Sequence, residues 1–299
     1  VTVLDVIQKS AEFLAGKGID SPRLNAELLL AHVLRLPRMK LYLNFDRTLS
    51  PEELDTMREL VRRRARHEPL QYILGSASFC GLELTVNPHV LVPRPETELL
   101  AEAGWQFLRT RPGAPTALDF GTGSGCLAIA LAAHCPTARV TALDVSEPAL
   151  ALARANAERH SVAARIEFVA GNDLAALPAG ARFDLIISNP PYIPTAAIES
   201  LPPEVRDFEP RVALDGGPDG LRIHRQLAAG AGAFLKPGAR LMVELADGQA
   251  DAARELYTGH KWIVDAIQPD YTRCPRILIA RAATGECPPG CATDKIGSA

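Results

Sequence analysis

Apolar positions in the first 75 residues recur at helical spacing. Ser21-Pro22 sets a cap residue before a proline at the first helical position. Leu24, Leu28, Leu29, Leu30, Val33 and Leu34 follow, apolar nearly all round. This pattern predicts a helix at the centre of a small bundle. Ser50-Pro51-Glu52-Glu53 combines proline with a capping box, and Leu54, Met57, Leu60 and Val61 mark one face of another helix. The period then changes. Residues 79–86 alternate, Asn87-Pro88 breaks the run and 89–92 resume it, the pattern of a β-hairpin. Pro95 is placed to open a helix through Leu108.

From about residue 115 short apolar runs alternate with helical stretches, the sign of a mainly parallel sheet. Strands are predicted at 116–120, 139–143, 166–170, 183–188 and 240–245, and helices at 124–134, 147–159 and 220–234. Apolar runs at 262–267 and 276–280 suit a closing strand pair. The expected organisation is a helical recognition domain over 1–75, a β-hairpin linker over 76–94, an α/β domain over 95–283 and a flexible tail over 284–299.

With 47% hydrophobic and 22% charged residues, the composition is that of a globular chain, and no apolar stretch approaches the length of a membrane span. The first ten residues are mixed and do not read as a secretory signal. Six scattered cysteines show no metal-type spacing and no disulfide framework, so no metal is expected and a reducing cytoplasm is. The close pair Cys287 and Cys291 lies in the Gly/Pro/Ser-rich tail and reads as part of a disordered end. A net charge of −3 lacks the basic footprint of a stable nucleic-acid partner. The one basic cluster, Arg62-Arg63-Arg64 with Arg66 and His67, is open to two readings: a solvated helix end, or a contact with an acidic or RNA-rich partner.

Candidate chemistry falls at strand ends. Gly121-Thr122-Gly123-Ser124-Gly125 joins the first strand of the sheet to its helix, where absent side chains let backbone N–H groups approach a ligand. A dinucleotide fingerprint would want glycine or alanine at position 126, which is Cys126. Asp144 ends the second strand and suits ribose hydroxyls, Ser146 being free to cap the next helix. Asn172-Asp173 after the third strand reads either as an adenine contact or as a polar loop. Asn189-Pro190-Pro191-Tyr192 follows the fourth. Its two prolines forbid helix and force a stiff, extended exit from the sheet. That stiffness aims the Asn189 side chain and the Pro190 carbonyl at one point, where two acceptors would hold a planar –NH2 group. A dehydrogenase has no use for such a clamp, so S-adenosylmethionine is expected over NAD, with S-adenosylhomocysteine as product. The clamp alone leaves a protein amide and a nucleobase exocyclic amine both open as acceptors.

With these residues the chain resembles the protein-glutamine N5-methyltransferases, the HemK/PrmC family that modifies class I peptide chain release factors. The similarity runs from about residue 5 to 282. It is carried by residues 68–75 (EPLQYILG), 92–98 (VPRPETE), the GTGSG loop, Asn189-Pro190-Pro191-Tyr192-Ile193, Phe208-Glu209-Pro210-Arg211, 215–220 (DGGPDG) and 234–238 (FLKPG). In a sister group that modifies a ribosomal-protein glutamine the segment after Pro-Arg reads differently, and 93–98 is similar to the release-factor enzymes. Phe120 stands where leucine is usual, and Gly171-Asn172-Asp173 looks shifted from a more usual Gly-Asp-x.

The resemblance implies a Rossmann-like, seven-stranded S-adenosylmethionine-dependent methyltransferase domain, preceded by a helical domain that helps recognise the release factor. It also implies methylation of the glutamine of a Gly-Gly-Gln loop. In that reading Asn189, Pro190, Pro191 and Tyr192 hold the substrate amide. Asn189, Pro190 and Tyr192 serve the chemistry, with Tyr192 packed against the amide to exclude water. Gly121, Thr122, Gly123, Ser124, Gly125, Asp144, Asn172, Asp173 and Asn189 hold the cofactor.

Overall fold

The structure, a computed structural model, describes residues 1–283. The tail expected over 284–299, with Cys287 and Cys291, lies outside the described residues. Five helices open the chain: α1 (Val3–Ala15), α2 (Pro22–Leu34), α3 (Arg38–Leu41), α4 (Pro51–Arg64) and α5 (Leu70–Leu74). Val3, Ile7, Leu14, Leu29, Leu30 and Met57 form their shared core, with α2 in the middle as its apolar pattern requires. Ser50 caps α4 in the expected capping box with Glu53. Ser21 does not cap α2. Its backbone is left-handed, with φ at 48° and no side-chain cap bond. Asn25 instead ties this turn by donating from Nδ2 to the Asp20 and Ser21 carbonyls, at 3.0 and 3.1 Å.

The hairpin consists of β1 (Ser76–Phe79) and β2 (Leu82–Thr85), so it turns at Cys80-Gly81 rather than at Asn87-Pro88. Both turn residues have positive φ, 50° and 76°, as a two-residue turn matched to strand twist demands. Residues 87–92 form no strand. They turn at 87–90, where the Val90 N–H donates to the Asn87 carbonyl at 3.1 Å, and tuck Val90 and Val92 beside Tyr72, whose hydroxyl donates to the Val90 carbonyl.

The remainder is a doubly wound sheet. After α6 (Pro95–Arg109) come β3 (Thr116–Phe120), α7 (Cys126–His134), β4 (Arg139–Asp144), α8 (Glu147–Arg159), β5 (Ile166–Ala170) and β6 (Phe183–Ser188). They are followed by α9 (Pro203–Arg206), α10 (Arg222–Gly230), β7 (Leu235–Glu244), α11 (Ala250–Gly259), β8 (Trp262–Pro269) and β9 (Pro275–Ala282). The strand order is β5-β4-β3-β6-β7-β9-β8, parallel except for β9, which runs antiparallel to both neighbours. This is the Rossmann-like, seven-stranded arrangement expected.

Period-2 alternation decides the layers. On β6, Leu185 and Ile187 face the side of α6 and α7, while Ile186 faces the side of α10 and α11 with Leu118, Leu227 and Tyr257. Burial on both faces explains why the parallel strands read as continuous apolar runs. The order reverses between β3 and β6, and open sheets bind ligands at such a point, beyond the strands' carboxyl ends. No helix among the described residues is long and apolar enough to cross a membrane.

Candidate active site

A cavity of about 410 Å³ opens at those carboxyl ends. Its lining includes Gly121, Thr122, Gly123 and Ser124 after β3, Asp144 at the end of β4 and Asn172 after β5. Asn189, Pro190 and Pro191 line it after β6. Gly125, Asp173 and Tyr192 do not. Gly125 packs α7 against α8, where an added Cβ would meet Ala153 Cβ at 3.0 Å. The Asp173 side chain caps a 3-10 turn by accepting from the Ala175 N–H at 2.8 Å. Of the Asn172-Asp173 pair, only Asn172 is left facing the cavity.

The glycine loop works differently from expectation. The Gly121 and Thr122 N–H groups both donate to the Leu143 carbonyl, at 2.8 and 3.0 Å, and the Gly125 N–H donates to Thr122. The Gly123 N–H donates to Asp144 Oδ2 at 2.8 Å. These donors are spent inside the protein, so the glycines contribute a low floor free of side chains. Asp144 is the hub: its Oδ1 also accepts from the Ser146 N–H at 2.9 Å, and Ser146 caps α8 as expected. Burial pushes the Asp144 carboxyl upward, opposed by the backbone donors of Ser146 and Gly123.

Beneath the loop lies Asp119, fully buried at the α7 N-terminus. Its Oδ2 accepts from the Thr122 hydroxyl at 2.6 Å and the Ala128 N–H at 3.0 Å. Burial raises its pKa to about 7, and nearby Asp144 adds to the rise. Oδ1 has no partner among the described residues. Asp119 stays sealed below the cavity and does not line it, whereas Asp144 and Asn172 do and fit the ribose and base of S-adenosylmethionine.

The Asn-Pro-Pro-Tyr corner leaves β6 extended and is braced along its length. The Ile193 N–H donates to the Leu214 carbonyl at 3.0 Å, and the Gly216 N–H returns to Ile193 at 2.8 Å. Gln249 donates to the Tyr192 carbonyl at 3.0 Å. The 215–220 loop packs so tightly here that a Cβ on Gly220, at φ +78°, would meet the Tyr192 carbonyl oxygen at 2.2 Å. Asn189 donates from Nδ2 to Thr97 Oγ1 at 3.0 Å, and Thr97 donates to Glu244 Oε2 at 2.7 Å. The Tyr192 hydroxyl stands 3.5 Å from Glu244 Oε1, so Tyr192 lies behind the clamp rather than across its face. Burial drives the Tyr192 phenol upward, so it stays neutral. Among the described residues no donor reaches Asn189 Oδ1 or the Pro190 carbonyl. Both residues line the cavity, and these two acceptors are left without a protein partner among those residues.

Two members of the basic cluster are consumed by close pairing. Arg63 binds Glu68, and Arg64 is buried, donating to Asn25 at 2.7 Å and to Glu204 at 2.5 Å. Arg94 donates from one nitrogen to both Glu209 oxygens, at 2.8 and 2.7 Å. These two ties anchor the segment after the corner, and Pro210, Val212 and Ala213 of that segment line the cavity, as do Val90 and Pro93. Sequence reasoning missed Asp119, Thr97, Glu244 and the bracing glycines. The available signals were an acid before the glycine loop, an acid ending the apolar run 241–243, and the spacing of 215–220.

A sheet with its last strand reversed, and a cavity set over a glycine floor at the switch point, define an S-adenosylmethionine-dependent methyltransferase. Comparison with known proteins narrows the class. Residues 5–75 match the PrmC N-terminal domain model and residues 98–200 the methyltransferase small domain model. The release factor glutamine methyltransferase of Geobacter sulfurreducens is 49% identical over 257 residues, spanning 86% of this chain and 88% of its own. That of Chlorobaculum tepidum is 44% identical over 289 residues, 94% of this chain and 97% of its own. A methyltransferase from Pyrococcus furiosus, 23% identical, shares the fold with a TM-score of 0.50 over 73% of this chain and 97% of its own. The chain belongs to the release factor glutamine methyltransferase family.

Proposed function

We propose that this enzyme methylates the side-chain amide nitrogen of the glutamine in the Gly-Gly-Gln loop of class I peptide chain release factors. The observation that carries the reading is the pair of unengaged acceptors, Asn189 Oδ1 and the Pro190 carbonyl, at the cavity wall. S-Adenosylmethionine, when bound, supplies an electrophilic methyl on its sulfonium.

An amide nitrogen is a weak nucleophile because its lone pair is delocalised into the carbonyl, and no side chain near neutral pH deprotonates it. The protein's contribution is placement and electrostatics. Asn189 Oδ1 and the Pro190 carbonyl each accept one N–H of the substrate amide, which fixes the direction of the nitrogen lone pair. The same acceptors stabilise positive charge as it grows on nitrogen while the N–C bond forms and the C–S bond breaks. The surplus N–H proton then leaves to water. Pro191 lines the wall beside the clamp, and Tyr192 supports it from behind. Asp144 and Asn172 would hold the nucleoside end of the cofactor over the floor of residues 121–124, with Asp119 supporting that floor from beneath through Thr122.

The helical residues 1–75 and the connecting segment 87–94 act as the recognition surface for the folded factor. The ties Arg64–Glu204 and Arg94–Glu209 support this, because both lead to the cavity rim. The test is transfer of label from S-adenosylmethionine to a purified release factor, to its Gln→Ala loop variant, and to DNA and RNA. Label on the intact factor alone is expected, and Asn189→Ala should abolish it with cofactor affinity nearly unchanged. Label on nucleic acid but not on the factor overturns the reading.

A further inference from the structure

Asn189 offers a clamp only in one of its two amide orientations. Flipped, its –NH2 would face the substrate –NH2, donor against donor, and no bond would form. What selects the orientation lies outside the corner. Thr97, in the first turn of α6, is 1% exposed, and Glu244, the last residue of β7, is also 1% exposed. A threonine hydroxyl has one proton. At 2.7 Å from a carboxylate that proton belongs to the Thr97–Glu244 bond, so toward Asn189 the oxygen presents only lone pairs.

We infer that Thr97 and Glu244 are positioning residues: the Glu244 carboxylate draws the Thr97 proton, Thr97 Oγ1 accepts from Asn189 Nδ2, and Asn189 Oδ1 is thereby turned toward the substrate nitrogen. The inference rests on the clamp proposed above and extends it to Thr97, which also lines the cavity, and to Glu244 behind it.

The relay makes the clamp sensitive to the charge on Glu244. The groups facing Glu244 are Thr97 and Glu96 from α6, Tyr192 from the corner and Arg276 from β9, itself paired with Asp270. Burial outweighs Thr97 and Arg276 and holds the Glu244 carboxyl at about 7. Protonated, Glu244 donates to Thr97 Oγ1. The Thr97 proton is then released toward Asn189, where it pairs with Oδ1 of the flipped amide. Turnover should therefore rise with pH through about 7.

The experiment compares wild type, Thr97→Val, Thr97→Ser, Glu244→Gln and Asn189→Ala on a purified release factor, reading kcat, cofactor affinity and the pH profile. Thr97→Val keeps the shape and loses the hydroxyl. Its kcat should fall about tenfold, one well-directed hydrogen bond in the transition state, with cofactor affinity within about threefold of wild type. It should also lose the rise near neutrality. Thr97→Ser restores the hydroxyl, and with it both rate and rise. Glu244→Gln removes the rise because its amide does not titrate, and it decides the matter if Thr97→Val does not fold. A Thr97→Val enzyme with full kcat overturns the inference, as does a kcat pH rise at saturating S-adenosylmethionine that is undiminished in it or in Glu244→Gln. A Thr97→Ser enzyme as slow as Thr97→Val overturns it too. If Asn189→Ala itself keeps turnover, the clamp falls instead.

Discussion

Arg64 of α4 and Glu204 of α9 meet at 2.5 Å, joining the helical bundle to the segment that follows the Asn-Pro-Pro-Tyr corner. Arg64 also supplies Asn25 Oδ1 and the Glu68 carbonyl, whereas Glu204 is one-third exposed and has water as a substitute partner. Unequal costs follow. Arg64→Ala should destabilise by about 3 kcal/mol, because buried acceptors lose their donor, and Glu204→Ala by about 1 kcal/mol. Urea unfolding of both variants checks this, and equal losses would mean that the ion pair alone matters.

Gly220 is expected to be irreplaceable. A methyl group there would strike the Tyr192 carbonyl oxygen at 2.2 Å and the Gln249 Nε2 at 2.6 Å in a backbone conformation that disfavours side chains. Gly220→Ala should cost about 2 kcal/mol or more and lower kcat at least tenfold, since the corner must shift. Cofactor affinity, measured by calorimetry, should move far less. A large loss of cofactor affinity would show that the brace also shapes the nucleoside site.

Asp144 has a double task, steadying Gly123 and Ser146 while facing the cavity. Asp144→Asn has one oxygen fewer with which to accept hydrogen bonds. The dissociation constant for S-adenosylmethionine should rise about tenfold or more. Direct binding measurements decide it, and an unchanged constant would remove Asp144 from the cofactor site.

Stability should fall as pH rises toward neutrality. Glu244 has a folded pKa of about 7 against an ordinary 4.5, and Asp119 about 7 against 3.8. Between these values the native chain keeps protons that the unfolded chain has released, so ionisation favours unfolding. Glu244 contributes on the order of 3 kcal/mol of loss across its window and Asp119 on the order of 4 kcal/mol. Glu244→Gln should flatten the slope between about pH 5 and pH 7 by nearly half. Urea midpoints of cofactor-free protein across that range provide the check. A wild-type curve that rises toward neutrality would refute the sign.

Much of this was legible in the sequence because it is local. The five parallel strands and the closing pair announce themselves as apolar runs, and the corner and glycine loop are contiguous. The failures have physical causes. The hairpin was misaligned because alternation continues through Cys80-Gly81, where backbone sign rather than hydropathy makes the turn. Thr97 and Glu244 are 147 positions apart, and only the fold brings their oxygens together. The 62–64 arginines look like a surface feature until Asn25 and Glu204, distant in the chain, are seen to take one of them inside.

The backbone ladder between Ile193 and residues 214–216, closed by two glycines, has a consequence for reading genomes. Four letters, Asn-Pro-Pro-Tyr, do not by themselves mark an amide clamp. Here their shape depends on a loop some 25 positions later, where a side chain at either glycine would collide with the backbone. In this chain the glycines at 216 and 220 let the 215–220 loop close onto the corner and hold it in shape.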